Sequence, residues 1–509
     1  MDTSSAAGDQ LTSRPAGGTE LSWCRAVPGG TGITVLALHL SRQISLPFIR
    51  SSLRRLQLSS PLLRARLPSA ASNPRPSILI SPSPSVEIEL IPSDLLPQIA
   101  VANDSPPISL FHSLVEHEMN RNCWAEPSED EPAGVLFATI YELPELDRSL
   151  LVLRLHTGVC DRTAGVAILK ELIDAVAVAG GVDRIALDGG EEEEEGEVLL
   201  AIEDLISKED SWKPFWARGK DLVGYSLNGL RSSCLPFMNT GSNRKSEVAR
   251  LLMEADETKR LLADSNDADA EPRPLLRSRD CQAEEAPRGE DTLVDSEVCN
   301  AKGIKLCAAI AAAGMLATYA SKNLQNNQPE TYSVVTLVDC RKYLNPPLND
   351  KHVGFYHSAI LNTHTLYGVE TFWETVKRCH DSYSNAKNNK KHLTDIGELN
   401  FLMCKAIENP HLTPASSLRT GLISIFEEVV DYDVILGQVQ GLGVEDYIGC
   451  ASVHGIGASI AVFETIRDRQ LDCACVYPSP LHSRKQMLEL VADMKRILVE
   501  GSATDDVGK

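Results

Sequence analysis

Within Leu151–Gly165, which reads LVLRLHTGVCDRTAG, a histidine, a threonine and an aspartate stand at positions 156, 157 and 161. The imidazole of His156 can take and release a proton near neutral pH. The hydroxyl of Thr157 is too weak a base to do the same. Asp161 can hold a neighbouring cation or anchor a turn. The chemistry this set offers is proton transfer to or from a bound group. Cys160 lies close after His156, but a metal site wants three or four ligands, so no metal is expected. Cys379-His380-Asp381 cannot act as a local triad, because adjacent side chains diverge. Gly-x-Ser-x-Gly, Walker and His-Glu-x-x-His motifs are absent. His357 and His454 lie in segments expected to approach the same interface. Each also reads as a hydrogen-bonded histidine near a strand end.

The flanking pattern supplies the elements that position this turn. Leu151, Val152, Leu153 and Leu155 read as a buried strand, with Arg154 the one polar break. Gly158 permits a sharp turn. From Thr163 to Ala179, apolar residues at Val166, Ile168, Leu169, Leu172, Ile173 and Val176 recur near a 3.6 period, predicting a helix. A strand that feeds a helix through a polar turn sets side chains at the mouth of a sheet, where loops often carry chemistry.

Upstream, Ile33–Leu40 reads as a strand, and Pro47 opens a short amphipathic helix through Leu58. Ser77–Ile80 and Val86–Leu90 are candidate paired strands, Ile108–Met119 is a helix, and Val135–Leu143 is a strand. Gly189–Glu197 is an acidic run that reads as a solvated linker. Trp212–Trp216 reads as an anchor of a loop to the body, and a helix is expected over Ser246–Ala263. Downstream, an alanine-rich helix over Asn300–Lys322 precedes a strand at Tyr332–Val338, which ends in Asp339-Cys340-Arg341. Helices follow at Thr371–Ser384 and Asp395–Ile407. Strands are expected at Leu422–Val430, Tyr447–His454, Ala458–Ile466 and Leu471–Tyr477, and a closing helix at Ser483–Val499.

The order of elements, and the turn at its centre, resemble the chloramphenicol-acetyltransferase-like acyltransferases, which include BAHD enzymes and non-ribosomal condensation domains. Their signature is His-His-x-x-x-Asp-Gly. Aligned on Asp161, His156 takes the first histidine position, Thr157 the second and Arg162 the glycine. The resemblance implies that the second position holds the general base, so this chain carries threonine there. It also implies that Asp161 pairs with an arginine to hold the turn, with Arg341 and Asp339 of the Asp-x-Arg segment as site support. The Asp-Phe-Gly-Trp-Gly motif of the BAHD branch is absent, which favours the looser condensation or alcohol-acetyltransferase branch. Because side chains alternate along a strand, His156 points away if position 157 points inward. His156 reads either as a substitute base in a remodelled turn or as a buried structural residue.

The resemblance implies an α/β fold of two lobes, each a mixed sheet flanked by helices, with a channel between them. The expected layout is an unstructured 1–20, an N-terminal lobe at 21–185, an acidic crossover with short helices at 186–295, a C-terminal lobe at 296–501 and a loose tail at 502–509. The implied activity is transfer of an acyl group from acyl-CoA, as co-substrate, to a small alcohol or amine acceptor. No bound cofactor or metal is expected, and no cofactor-binding residues are assigned. The second reading is an inactive relative that binds a ligand or protein partner. A hydrolase, with water replacing the acceptor, is a third class. The net charge of −21 argues against nucleic-acid and anionic-membrane partners, which would want a basic patch. Thirteen scattered cysteines suit reduced thiols and a cytoplasmic location. The longest apolar run, Leu306–Ala320, is too short to span a membrane.

Overall fold

The computed structural model describes residues 12–67, 76–99, 108–126, 132–143, 148–179, 196–241, 243–263, 304–322, 324, 328–368, 370–409, 419–435, 443–454 and 456–503. Two mixed sheets dominate. The first runs Val444–Ala451, Ile33–Leu40, Arg148–His156, Leu136–Leu143 and Glu87–Ile91. The second runs His357–Leu366, Glu330–Asp339, Arg419–Phe426, Gly457–Arg467, Gln470–Ser479 and Lys245–Leu252, with Val430–Asp431 added beside Gly457–Arg467. A small four-stranded sheet gathers Thr12–Pro15, Ser77–Ile80, Ala65–Leu67 and Ala133–Gly134. The α/β class and the two mixed sheets flanked by helices agree with the sequence reading.

The motif strand, Arg148–His156, is central in the first sheet and buried on both faces, which is why its sequence is almost continuously apolar. Leu151, Leu153 and Leu155 face a core shared with Leu36, Leu38 and the Arg162–Ala179 helix. That helix buries Ala164, Ile168, Leu169, Leu172 and Ile173 on one stripe. Each such aliphatic side chain stabilises the fold by about 1.5–3 kcal/mol. Leu150 and Val152 face the other way, into a core shared with the Leu110–Asn120 helix and with Val248, Ala474 and Val476 of the second sheet. This second core joins the lobes. Arg154 enters the same layer and is neutralised there by Glu118, 2.6 Å away, which also accepts from Tyr141. A buried cation needs such a partner.

Two strands cross between the halves of the chain. Val444–Ala451 pairs with Ile33–Leu40, and Lys245–Leu252 pairs with Gln470–Ser479. The second of these lies where a helix was expected over Ser246–Ala263. Only Ala255–Ala263 is helical. The segment holds good helix formers, but pairing along a buried strand, with Val248 in one core and Ala249 and Leu251 in the other, overrides propensity.

Other expectations are corrected. Residues 12–20 are structured, as the Thr12–Pro15 strand and the start of the Gly18–Ala26 helix, because Thr12–Pro15 finds an edge in Ser77–Ile80. Ser77–Ile80 and Glu87–Ile91 do not pair with each other; they belong to different sheets. His357–Leu366 is a strand that the periodicity did not announce, since Asn362, Thr363, His364 and Thr365 interrupt its apolar pattern. Trp212, Phe215 and Trp216 are exposed rather than anchoring. The acidic run Gly189–Glu197 lies almost wholly outside the described residues.

Candidate functional site

Asp161 ends the motif turn and starts the helix that follows. Its Oδ1 accepts from the backbone N–H of Ala164 at 2.8 Å, capping that helix. Its own N–H donates to the carbonyl of Gly354, and its Oδ2 accepts from the N–H of Tyr356 at 2.8 Å. The Arg341 guanidinium donates to both carboxylate oxygens, at 2.9 and 3.0 Å, and both side chains are buried. Burial alone would raise the Asp161 pKa. The Arg341 charge, and after it His357, overcome that and hold the carboxyl well below the usual range.

Arg341 stands two residues beyond the end of the Glu330–Asp339 strand, so the pair ties the second sheet to the turn of the first. Arg341 also donates to Asp339 at 3.1 Å and to the carbonyl of His352 at 3.0 Å, and it lies over the Tyr356 ring. Asp339 in turn accepts from Thr163 at 2.7 Å. His357 Nδ1 sits 3.0 Å from Asp161 Oδ2.

The structure brings Asp161, Arg341 and Asp339 together, and keeps His156 apart from them. The His156 ring stands edge-on to Trp124 at 5.4 Å, on the face that also holds Arg154. Its Nδ1 accepts from the N–H of Gly158 at 3.1 Å. In the neutral ring this places the proton on Nε2 and occupies the one basic nitrogen. Burial lowers its pKa to about 3, so it is uncharged at neutral pH. Gly158 eases this close approach and has no left-handed backbone: a Cβ there would lie 3.0 Å from the ring, which would have to shift by a few tenths of an ångström. Thr157 shares a 2.7 Å hydrogen bond with the Thr34 hydroxyl, and its N–H donates to Gly32.

Arg162, in the glycine position, reaches across to the second sheet. It lies 4.3 Å over the Phe426 ring and donates to the carbonyls of Glu428 and Glu464. The Glu464 carboxylate lies 3.7 Å away, too long to offset the burial of both groups. Burial dominates each of them: the Arg162 pKa falls and the Glu464 pKa rises to about 7. Glu464 Oε1 accepts from the N–H of Phe426 at 2.9 Å, while Oε2 has no hydrogen-bond partner.

No family model and no curated protein matches the chain. Solved structures do. The trichothecene 15-O-acetyltransferase TRI3 of Fusarium sporotrichioides superposes at TM-score 0.65 with 10% identity, over 98% of this chain and 97% of that one. The first condensation domain of the calcium-dependent antibiotic synthetase matches at TM-score 0.58 and 13% identity, over 96% of each chain. The X-domain of teicoplanin biosynthesis, solved in complex with OxyB, matches at 0.54 and 15%, over 97% of this chain and 94% of that one. This is the chloramphenicol-acetyltransferase-like fold of the condensation domains.

Within this condensation-type fold, the lobe interface beside the turn is occupied by side chains. Trp23, Phe355, His357, Phe426 and Phe463 follow one another with ring centroids 5.4, 6.3, 5.8 and 5.5 Å apart. A small recess lies between Val444–Ala451 and the second sheet. Tyr432, Tyr447, Phe463, Arg250 and Asp472 line it. His454 is not at the turn; its Nε2 meets Asn120 at 3.0 Å. His380 of the Cys379-His380-Asp381 run faces the Lys305 N–H, and Cys379 is buried in the helical core. Among the described residues no cluster of three or more His, Cys, Asp or Glu could hold a metal, and no helix is long and apolar enough to cross a membrane. Sequence reasoning missed Glu464 and the approach of His357 to Asp161. Neither carries a local signal, because each meets its partner only across the lobe interface.

Proposed function

We propose that this protein keeps an acyltransferase fold for binding a ligand or protein partner and does not transfer acyl groups at the motif turn. The observation that carries this reading is that neither residue in the two motif histidine positions is placed to act as a base. Thr157 stands in the base position with its hydroxyl bound to Thr34, and the adjacent His156 has its basic nitrogen occupied by Gly158. Loss of a general base alone costs about 10²–10⁴-fold in rate. Arg162 adds a guanidinium across the interface at the position where the family carries glycine. The X-domain of teicoplanin biosynthesis, in complex with OxyB, is a protein of this fold engaged with a partner protein.

A second reading rests on His357. Its Nδ1 lies 3.0 Å from Asp161 Oδ2, and its ring stands edge-on to Phe426 at the lobe interface beside the turn. His357 would then serve an acyl-CoA-dependent transfer to an alcohol or amine. One experiment separates the two. The full chain is incubated with a panel of acyl-CoA donors and alcohol or amine acceptors while free CoA is monitored. The expected result is no release above the enzyme-free blank. Release that disappears in His357→Ala establishes the second reading and overturns the first.

A further inference from the structure

Among the described residues, the Phe215–Arg231 helix presents an apolar face that packs against no other element. Trp212, Phe215 and Trp216 are 71%, 89% and 72% exposed, and Val223 and Leu227 continue the stripe at helical spacing. The opposite face is pinned to the body. Arg218 meets Glu398 at 3.2 Å, Tyr225 donates to Asp395, and Lys213, just before the helix, meets Asp395 at 2.6 Å. The orientation of the helix is therefore fixed by polar contacts, and its apolar face is turned outward by construction.

We propose that this helix docks on a phospholipid bilayer surface, lying in the interface with Trp212, Phe215 and Trp216 inserted among the headgroups. Three observations select lipid over a protein. The aromatic side chains stand proud of the surface rather than lining a groove, so a protein partner would need matching pockets, whereas lipid headgroups part around them. Tryptophan, with an apolar ring and a polar N–H, suits the boundary between hydrocarbon and water. The charge is also complementary: the chain carries −21 overall, yet the exposed ionic groups of this helix are Lys220 and Arg231. Its one carboxylate, Asp221, is turned to Lys213. A face of large aromatics flanked by cations is the composition of helices that lie on membranes. At 17 residues the helix is about 25 Å long, enough to lie flat on the surface.

The test is flotation of the full-length protein with vesicles of phosphatidylcholine containing a minority of phosphatidylserine. The wild type is expected to float with the vesicles. Phe215→Ala combined with Trp216→Ala should lower the partition coefficient at least about tenfold, since each ring removes a large apolar area from water. Both side chains are exposed, so circular dichroism and melting should match the wild type. Lys220→Gln keeps the aromatic face and should lower binding about fivefold on these vesicles, and less on phosphatidylcholine alone. Failure of the wild type to float, or equal flotation of the double variant, overturns the proposal. So does a lipid-free dimer that the double variant converts to monomer, which would make a second copy of the chain the occupant.

Discussion

Glu464 gives the most exacting test of how the lobe interface is held. It is buried on the Gly457–Arg467 strand, with one carboxylate oxygen bonded to the Phe426 N–H and the other without a hydrogen-bond partner. Arg162 is the nearby cation, at 3.7 Å. Burial outweighs this pairing and raises the pKa from 4.5 to about 7. The folded protein therefore holds a proton that the unfolded chain releases near pH 4.5. The stability that goes with this proton is full below about pH 4.5 and is lost as pH rises through about 7. The gap is worth about 3 kcal/mol. Spread over the unfolding entropy of a chain this size, that is about 3 °C in melting temperature. The perturbation is Glu464→Gln, which cannot titrate. Scanning calorimetry of wild type and variant at pH 5 and pH 8 should show the wild type losing about 2 °C relative to the variant between the two. Other titrating groups cancel in the difference. A gap that is equal at both pH values, or that moves the other way, refutes the argument. Arg162→Met, by removing the opposing cation, should push the loss to still higher pH.

Two further outcomes follow from the turn itself. Arg341→Ala leaves the Asp161 carboxylate buried without its main counter-charge and should cost about 3–5 kcal/mol, read as a fall of several degrees in melting temperature. Arg341→Lys should recover only part of this, since lysine cannot make the bidentate contact. His156→Ala removes a ring packed on Trp124 and should cost about 2–4 kcal/mol at pH 8. Because the folded His156 pKa is depressed to about 3, its contribution is full above about pH 6.5 and is lost as pH falls. The penalty should therefore shrink by about 2 kcal/mol at pH 5, and a penalty that grows on acidification would contradict the buried neutral ring.

Much of the architecture could be read from local pattern. The motif strand, the Arg162–Ala179 helix, the Ile33–Leu40 strand and the closing helix all follow from apolar spacing, with boundaries shifted by a few residues. Pro47 marked the first turn of the Leu46–Ser59 helix because its fixed φ suits that position. Local pattern failed at Lys245–Leu252 and His357–Leu366. In the first, good helix formers were drawn into a sheet edge by a distant neighbour. In the second, polar residues sit on a strand next to the interface, where pairing with Glu330–Asp339 satisfies the backbone regardless of side-chain alternation.

Period and turn chemistry belong to neighbours along the chain, so residue order alone carried the strand, the bend and the helix around Asp161. Partnership does not. Arg341 is 180 residues from Asp161, and Glu464 and Phe426 meet Arg162 from the other sheet. Whether His156 is a base or a buried ring depended on which face of the strand was covered and on the Gly158 N–H beside it. Those outcomes follow from closing long loops and removing water from charged groups, and only the assembled lobes do either.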